Sequence, residues 1–202
     1  MKIEYVVLDE NLRIDELKEY VALLPPERQE KIARYRFEKD KLLSLAAGLL
    51  IRRAIGESPI TFGDHDKPYA QSGVFFSVSH SSSVAAIAVD DIEVGLDVEQ
   101  IPDENRLKIA DRFYHPHERA YVKEAQDQCR AFCEIWTRKE AVLKMTGEGI
   151  STDLTAFDTT ALSLSAQLYT SSLNDYCLSV CSAEPLGEKM INISRLELKG
   201  LI

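Results

Sequence analysis

Hydrophobic and polar positions alternate with a period of two in several parts of the chain, most clearly along Ile92–Glu99, IEVGLDVE. Val94, Leu96 and Val98 fall on one side and Gly95, Asp97 and Glu99 on the other, which predicts a half-buried strand. Strands are also expected over Met1–Leu8 and Val74–Ser79. The unbroken apolar run Val84–Val89 predicts a strand buried on both faces, and Asp90-Asp91 a tight antiparallel hairpin into Ile92–Glu99. Helical spacing covers Asp9–Leu24, with Leu12, Leu17, Val21 and Leu24 near one side. Pro25-Pro26 ends that segment and starts a basic helix, Glu27 to about Phe37. A strongly apolar helix, Asp40–Ile55, stops at Arg52-Arg53 and Gly56. Thr61–Gly73 reads as a loop.

Beyond Pro102 the pattern gives helices over Asn105–Tyr114, Pro116–Ala125 and Gln128–Met145, then strands within Ala161–Tyr169, Tyr176–Cys181 and Ile191–Leu198. Each half is therefore helices plus a meander of strands. The expected fold is α+β: two similar lobes, 1–100 and 101–202, each with a small antiparallel sheet packed on helices and related by a pseudo-twofold.

Composition narrows the setting. The 202 residues are 45% hydrophobic and 28% charged, as in an ordinary soluble domain. No apolar run approaches the roughly 20 residues of a membrane helix, and MKIEYVVLDE has no signal-peptide core, so no membrane and a cytoplasmic location are expected. A net charge of −9 argues against nucleic acid as a partner. Cys129/Cys133 and Cys177/Cys181 lack CxxC spacing and read as buried free thiols.

Asp97 and Glu99, two residues apart on one strand face, lie ~7 Å apart along the strand. They form either an exposed acidic face or one side of a cation site. In the long helix, Trp136, Glu140 and Lys144 make a stripe four residues apart. A third carboxylate there, with Asp97 and Glu99, gives the oxygen donors that Mg²⁺ prefers. Arg28, Lys31, Lys67 and His80 are bases that suit phosphates; Arg28 and Lys31 also fit a simple solvated helix face. Ser44 interrupts an apolar helix and either bonds back one turn or faces a ligand. His115-Pro116-His117 reads as a cap or surface turn in preference to a metal site.

Together KPY (67–69), SVSHS (77–81), GLDVE (95–99) and WTRKEAVLK (136–144) resemble the 4′-phosphopantetheinyl transferases, in their larger, pseudo-dimeric, surfactin-synthetase-activating branch. The resemblance runs from PPERQEKIARY (25–35) to GEGI (147–150). It implies coenzyme A as donor, a serine of an acyl or peptidyl carrier protein as acceptor, Mg²⁺ (or Mn²⁺), and 3′,5′-ADP as product. By motif position, Asp97, Glu99 and Glu140 would hold the metal; Lys67, Ser79 and His80 would contact the coenzyme A phosphates; Arg28, Lys31 and Ser44 would lie near the 3′-phosphate. Glu140 would take the serine proton and Lys144 would assist the departing 3′,5′-ADP. A monomer suffices for two lobes in one chain. Carrier proteins of this kind are acidic, so docking is expected on a local basic-apolar patch, Arg106–Lys123 with Phe113, Tyr114 and Tyr121. The alternatives are a non-catalytic coenzyme A or carrier-binding module, and a metal-dependent phosphohydrolase.

Overall fold

The computed structural model describes residues 1–63, 67–149, 152–187 and 189–201. Positions 64–66 of the expected loop, and Ile150 of GEGI, lie outside the described residues. In chain order the elements are β1 (Lys2–Val7), α1 (Lys18–Val21), α2 (Pro26–Arg34), α3 (Glu38–Ile55), β2 (Ile60–Phe62), β3 (Pro68–Ala70), β4 (Phe75–Ser81), β5 (Val84–Asp90) and β6 (Val94–Gln100). They continue with α4 (Ala110–Phe113), α5 (Pro116–Glu124), α6 (Gln128–Thr146), α7 (Leu162–Ser165), β7 (Leu168–Leu173), β8 (Tyr176–Ser182) and β9 (Asn192–Leu196). The fold is α+β, with small, mainly antiparallel sheets packed on helices.

One sheet has the order β4-β5-β1-β9, the second β6-β8-β7, and β2-β3 form a two-stranded ribbon. β9 runs parallel to β1; the other pairings are antiparallel. β6 precedes residue 100 yet belongs to the second sheet, and β9, late in the chain, belongs to the first. Each sheet thus draws strands from both sides of that position.

Several local expectations are corrected. The hairpin into β6 does not form, because β4 and β1 already occupy both edges of β5. β6 instead lies over the first sheet, where Val94, Leu96 and Val98 pack with Ile3, Val84, Ala86 and Ala88. It is buried on both faces, not one: Val94 to Val98 are all buried. β5 is buried on both faces as its apolar run predicts, with Ala85 and Ile87 turned to the cluster around α3. The segment 9–24 is not one helix but a 3-10 turn at Ile14–Leu17 followed by α1. There the Asp9 carboxylate accepts from the Asn11 amide at 2.8 Å, competing with helix start. Residues 104–109 are likewise 3-10, and 162–165 form a helical turn where a strand was expected. The expected loop contains the ribbon, with Thr61 opposite Tyr69.

β6, an edge strand of the second sheet, meets the face of the first sheet at β4 through side chains. Ser77, Ser79 and Ser81 of β4 recur at period two and face β6. Ser77 Oγ accepts from the Leu96 amide (2.9 Å), Ser79 Oγ donates to Asp97 Oδ1 (2.8 Å), and Ser81 Oγ donates to Glu99 Oε2 (2.6 Å). Hydroxyls replace the backbone ladder, so the seam also aims the carboxylates. On its other face β6 carries α6. A Cβ on Gly95 would stand 2.0 Å from the Ala141 carbonyl oxygen and 2.4 Å from the Met145 nitrogen. Only a residue without a side chain lets the helix backbone come this close.

Candidate active site

Direct contact of β6 with α6 brings Asp97 to Lys144. The Lys144 ammonium donates to Asp97 Oδ1 at 2.7 Å and to Ser79 Oγ at 2.9 Å. Asp97 is buried, and its Oδ2 has no hydrogen-bond partner. A buried carboxylate oxygen left unpaired is costly, and a cation is the usual remedy. Glu140, one turn before Lys144, has its carboxyl pKa pushed up by burial and then by the Asp97 charge, with Glu99 adding and Lys144 opposing. Glu99 is pushed up too, first by burial and then by Asp97, against the Ser81 hydrogen bond. The three acids therefore share one field with a single ammonium among them. Three carboxylates, one with an orphaned oxygen, fit a hard divalent cation such as Mg²⁺. They do not form a tight trio: among the described residues, the group of three donors whose ligand atoms all lie within 4.8 Å is His115, His117 and Asp158.

A second set of charges adjoins the first. The His80 imidazole is held below its usual pKa by desolvation, then by the positive fields of Lys144, Lys31 and Arg28. Three cations from α2 and α6 thus act on His80 of β4, a gathering of basic groups that suits a polyanion. Arg28 is half-buried, and desolvation lowers its pKa. Gly48 of α3 makes room for it: a Cβ there would lie 2.8 Å from Leu24 Cδ1 and 3.5 Å from Arg28 Cγ. Ser44, buried in the same helix, has no partner for its hydroxyl and so does not bond back to the preceding turn.

Lys67 is tied to the end of α6. It donates to the Met145 carbonyl, pairs with Glu93 at 3.7 Å and lies over the Tyr69 ring at 5.3 Å. Burial lowers its pKa despite Glu93. Of the expected residues, Ser79, Asp97 and Lys144 touch; Glu99 and Glu140 feel the charges of Asp97 and Lys144, and His80 those of Lys144, Lys31 and Arg28; Lys67, just before β3, bonds to the end of α6, and Ser44 lies on α3.

Two groups of residues escaped the sequence reading. Ser77 and Ser81 were visible only as alternate serines. Lys139, inside WTRKEAVLK, points away from Glu140 and is fully buried against Glu118 at 2.7 Å. Lys139 also donates to the carbonyls of Leu154 (2.7 Å) and Phe157 (2.9 Å). Glu118 accepts from the Thr159 amide and hydroxyl at 2.8 and 2.7 Å. The available signal was His115-x-x-Glu118, a capping-box spacing: His115 Nδ1 accepts from the His117 amide, and Glu118 accepts from the His115 amide.

Two expectations fail here. Tyr114 is buried, stacked on Phe132 at 5.2 Å with its hydroxyl donating to the Phe132 carbonyl, so it is withdrawn from the proposed docking patch. Phe113 is half-buried and Tyr121 exposed. Cys129, on the first turn of α6, is partly exposed, whereas Cys133, Cys177 and Cys181 are buried; all four are free.

Known proteins resemble the chain over this region. A family model described as the 4′-phosphopantetheinyl transferase superfamily matches residues 93–185, the span holding Asp97, Glu99, Glu140 and Lys144. A 4′-phosphopantetheinyl transferase of Bacillus subtilis is 32% identical over 169 residues, 78% of this chain and 75% of its own length. The 4′-phosphopantetheinyl transferase psf-1 of Bacillus pumilus is 32% identical over 217 residues, covering 94% of this chain and 91% of its own. The 4′-phosphopantetheinyl transferase AcpT of Salmonella typhimurium is 36% identical over 151 residues, 70% of this chain and 76% of its own.

Proposed function

Because the chain belongs to the 4′-phosphopantetheinyl transferase superfamily, we propose that it moves the 4′-phosphopantetheine group of coenzyme A onto a serine of an apo acyl or peptidyl carrier protein, releasing 3′,5′-ADP. The observation that carries this reading is the buried Asp97, with Oδ2 unpaired and Lys144, Glu99 and Glu140 in the same field. Asp97, Glu99 and Glu140 are the residues that would hold Mg²⁺, or Mn²⁺ in its place. When bound, the ion supplies positive charge to the diphosphate.

The chain's own groups do the rest. A serine hydroxyl needs a positioned base, and Glu140, its pKa raised by burial and by the Asp97 charge, takes that proton. The serine oxygen then bonds to the phosphorus bearing pantetheine, and the bridging oxygen leaves with 3′,5′-ADP. Lys144 neutralises or protonates that leaving group. Ser79, His80 and Lys67 contact the phosphates of coenzyme A, while Arg28, Lys31 and Ser44 face its 3′-phosphate. Carrier docking rests on Arg112, Phe113, Arg119 and Tyr121. No described helix is long and apolar enough to cross a membrane. A cytoplasmic monomer, with lobes divided near residue 100 and tied by β6 and β9, completes the proposal.

The test incubates the protein with Mg²⁺, coenzyme A and a panel of apo-carriers and weighs each carrier intact. Gain of one phosphopantetheine per carrier is expected. No adduct on any carrier sinks the reading in favour of a binding module, and release of phosphopantetheine without a carrier points to a phosphohydrolase.

A further inference from the structure

Behind α6, away from the carboxylate site, His115, His117 and Asp158 offer ligand atoms that all lie within 4.8 Å of one another. His117 Nδ1 is 3.0 Å from Asp158 Oδ2, and His115 Nδ1 is 3.6 Å from the same oxygen. A tetrahedral ion with bonds near 2.0–2.1 Å sets its neighbouring ligand atoms about 3.3 Å apart. The two observed separations bracket that edge. The imidazoles meet edge to face, centroids 4.9 Å apart and planes at 78°, so their nitrogens converge from different directions.

The carboxylate is already oriented for the task. Asp158 Oδ1 accepts from the Thr160 amide at 2.9 Å and the Thr160 hydroxyl at 2.5 Å, leaving Oδ2 turned to the histidines. Such outer contacts are what fix a metal-binding carboxylate in place. His115 is anchored through its own amide, which donates to Glu118 at 2.9 Å. His117 is 78% exposed, so the site opens to solvent.

We propose that His115, His117 and Asp158 bind a divalent transition ion of the Zn²⁺ class, with water completing the coordination. Two imidazoles and one carboxylate suit Zn²⁺, Co²⁺ or Ni²⁺ and not Mg²⁺, which takes oxygen ligands. Binding costs His115 its 3.3 Å capping bond from the His117 amide, while the Glu118 half of the capping box stays. The ion ties the start of α5 to residues 154–160, the segment whose carbonyls hold Lys139. It therefore acts as a staple behind the catalytic helix, and the inference stands apart from the reaction proposed above.

The whole protein, with excess Mg²⁺ present, is titrated with Co²⁺ and followed by visible absorption, then challenged with Zn²⁺. One equivalent of Co²⁺ should develop the intense bands of four-coordinate Co²⁺, and Zn²⁺ should erase them and raise Tm. His117→Ala and Asp158→Asn should weaken Zn²⁺ binding at least about tenfold and abolish the bands. Asp97→Ala should keep them. Absence of bands in the wild type, or their survival in His117→Ala, overturns the proposal; loss of the bands in Asp97→Ala alone assigns the ion to the carboxylate site and overturns it equally.

Discussion

Helix α6 carries two lysine–carboxylate pairs at the same 2.7 Å separation, Lys139 with Glu118 and Lys144 with Asp97, in very different surroundings. Lys139 and Glu118 are fully buried, and every neighbour in reach supplies a partner: three amide or hydroxyl donors for the acid, two carbonyls for the amine, and the Phe157 ring 4.2 Å from the ammonium. Lys144 keeps 32% of its side chain in solvent, and Asp97 beside it has an oxygen with no partner at all. Distance does not separate a structural pair from a functional one; satisfaction does. The closed network has nothing left to bind, whereas the open one lacks positive charge.

The sharpest way to break this contrast is Asp97→Ala. Carrier modification should fall to background while the fold survives, because the open pair is not what holds α6; an active variant would deny Asp97 any part in the reaction. Glu140→Gln keeps the shape and removes the base, so kcat should drop at least roughly 10²-fold. Unchanged kinetics would take Glu140 out of both its roles.

On the closed side, Lys139→Met leaves Glu118 buried without its counter-charge and should cost ~3–5 kcal/mol of stability in denaturant unfolding. Pairing it with Glu118→Gln should recover much of that loss. If Lys139→Met unfolds like the wild type, the closed network is not structural.

A smaller effect concerns pH. Glu99 and Glu140 have folded pKa values raised above their unfolded ones, so the stability they contribute is complete below about 4.3 and is lost as pH rises through the raised values. Without divalent ions, Tm should fall across that window, and Mg²⁺ should restore it in the wild type but not in Asp97→Ala. Smallest of all, Arg112→Glu with Arg119→Glu should raise the carrier KM several-fold and leave coenzyme A affinity alone. Unchanged KM moves the docking surface elsewhere.

The placement of the open pair and its neighbouring acids was legible in the sequence because it obeys short-range periodicity. Asp97 and Glu99 fall two apart on a strand, Glu140 and Lys144 four apart on a helix, and those spacings alone aim the side chains. Gly95 signals a close approach, and in the fold the approaching backbone is that of α6. The closed half was illegible for the opposite reason. Lys139 finds Glu118, Leu154 and Phe157 across 15 to 21 residues of chain, and no local pattern predicts a buried lysine. Strand exchange was hidden too: β6 leaves β5 because both edges of β5 are taken, a fact belonging to the whole sheet.

The parallel pairing of β1 with β9 sets a timetable for synthesis. The outer edge of β1 leaves the ribosome long before its neighbour has been translated, and that open edge is a template for stray strand pairing. A nascent chain stalled ahead of Asn192 would carry Asp97, Glu140 and Lys144 beside an unfinished border, with β1 open to stray pairing until β9 is made.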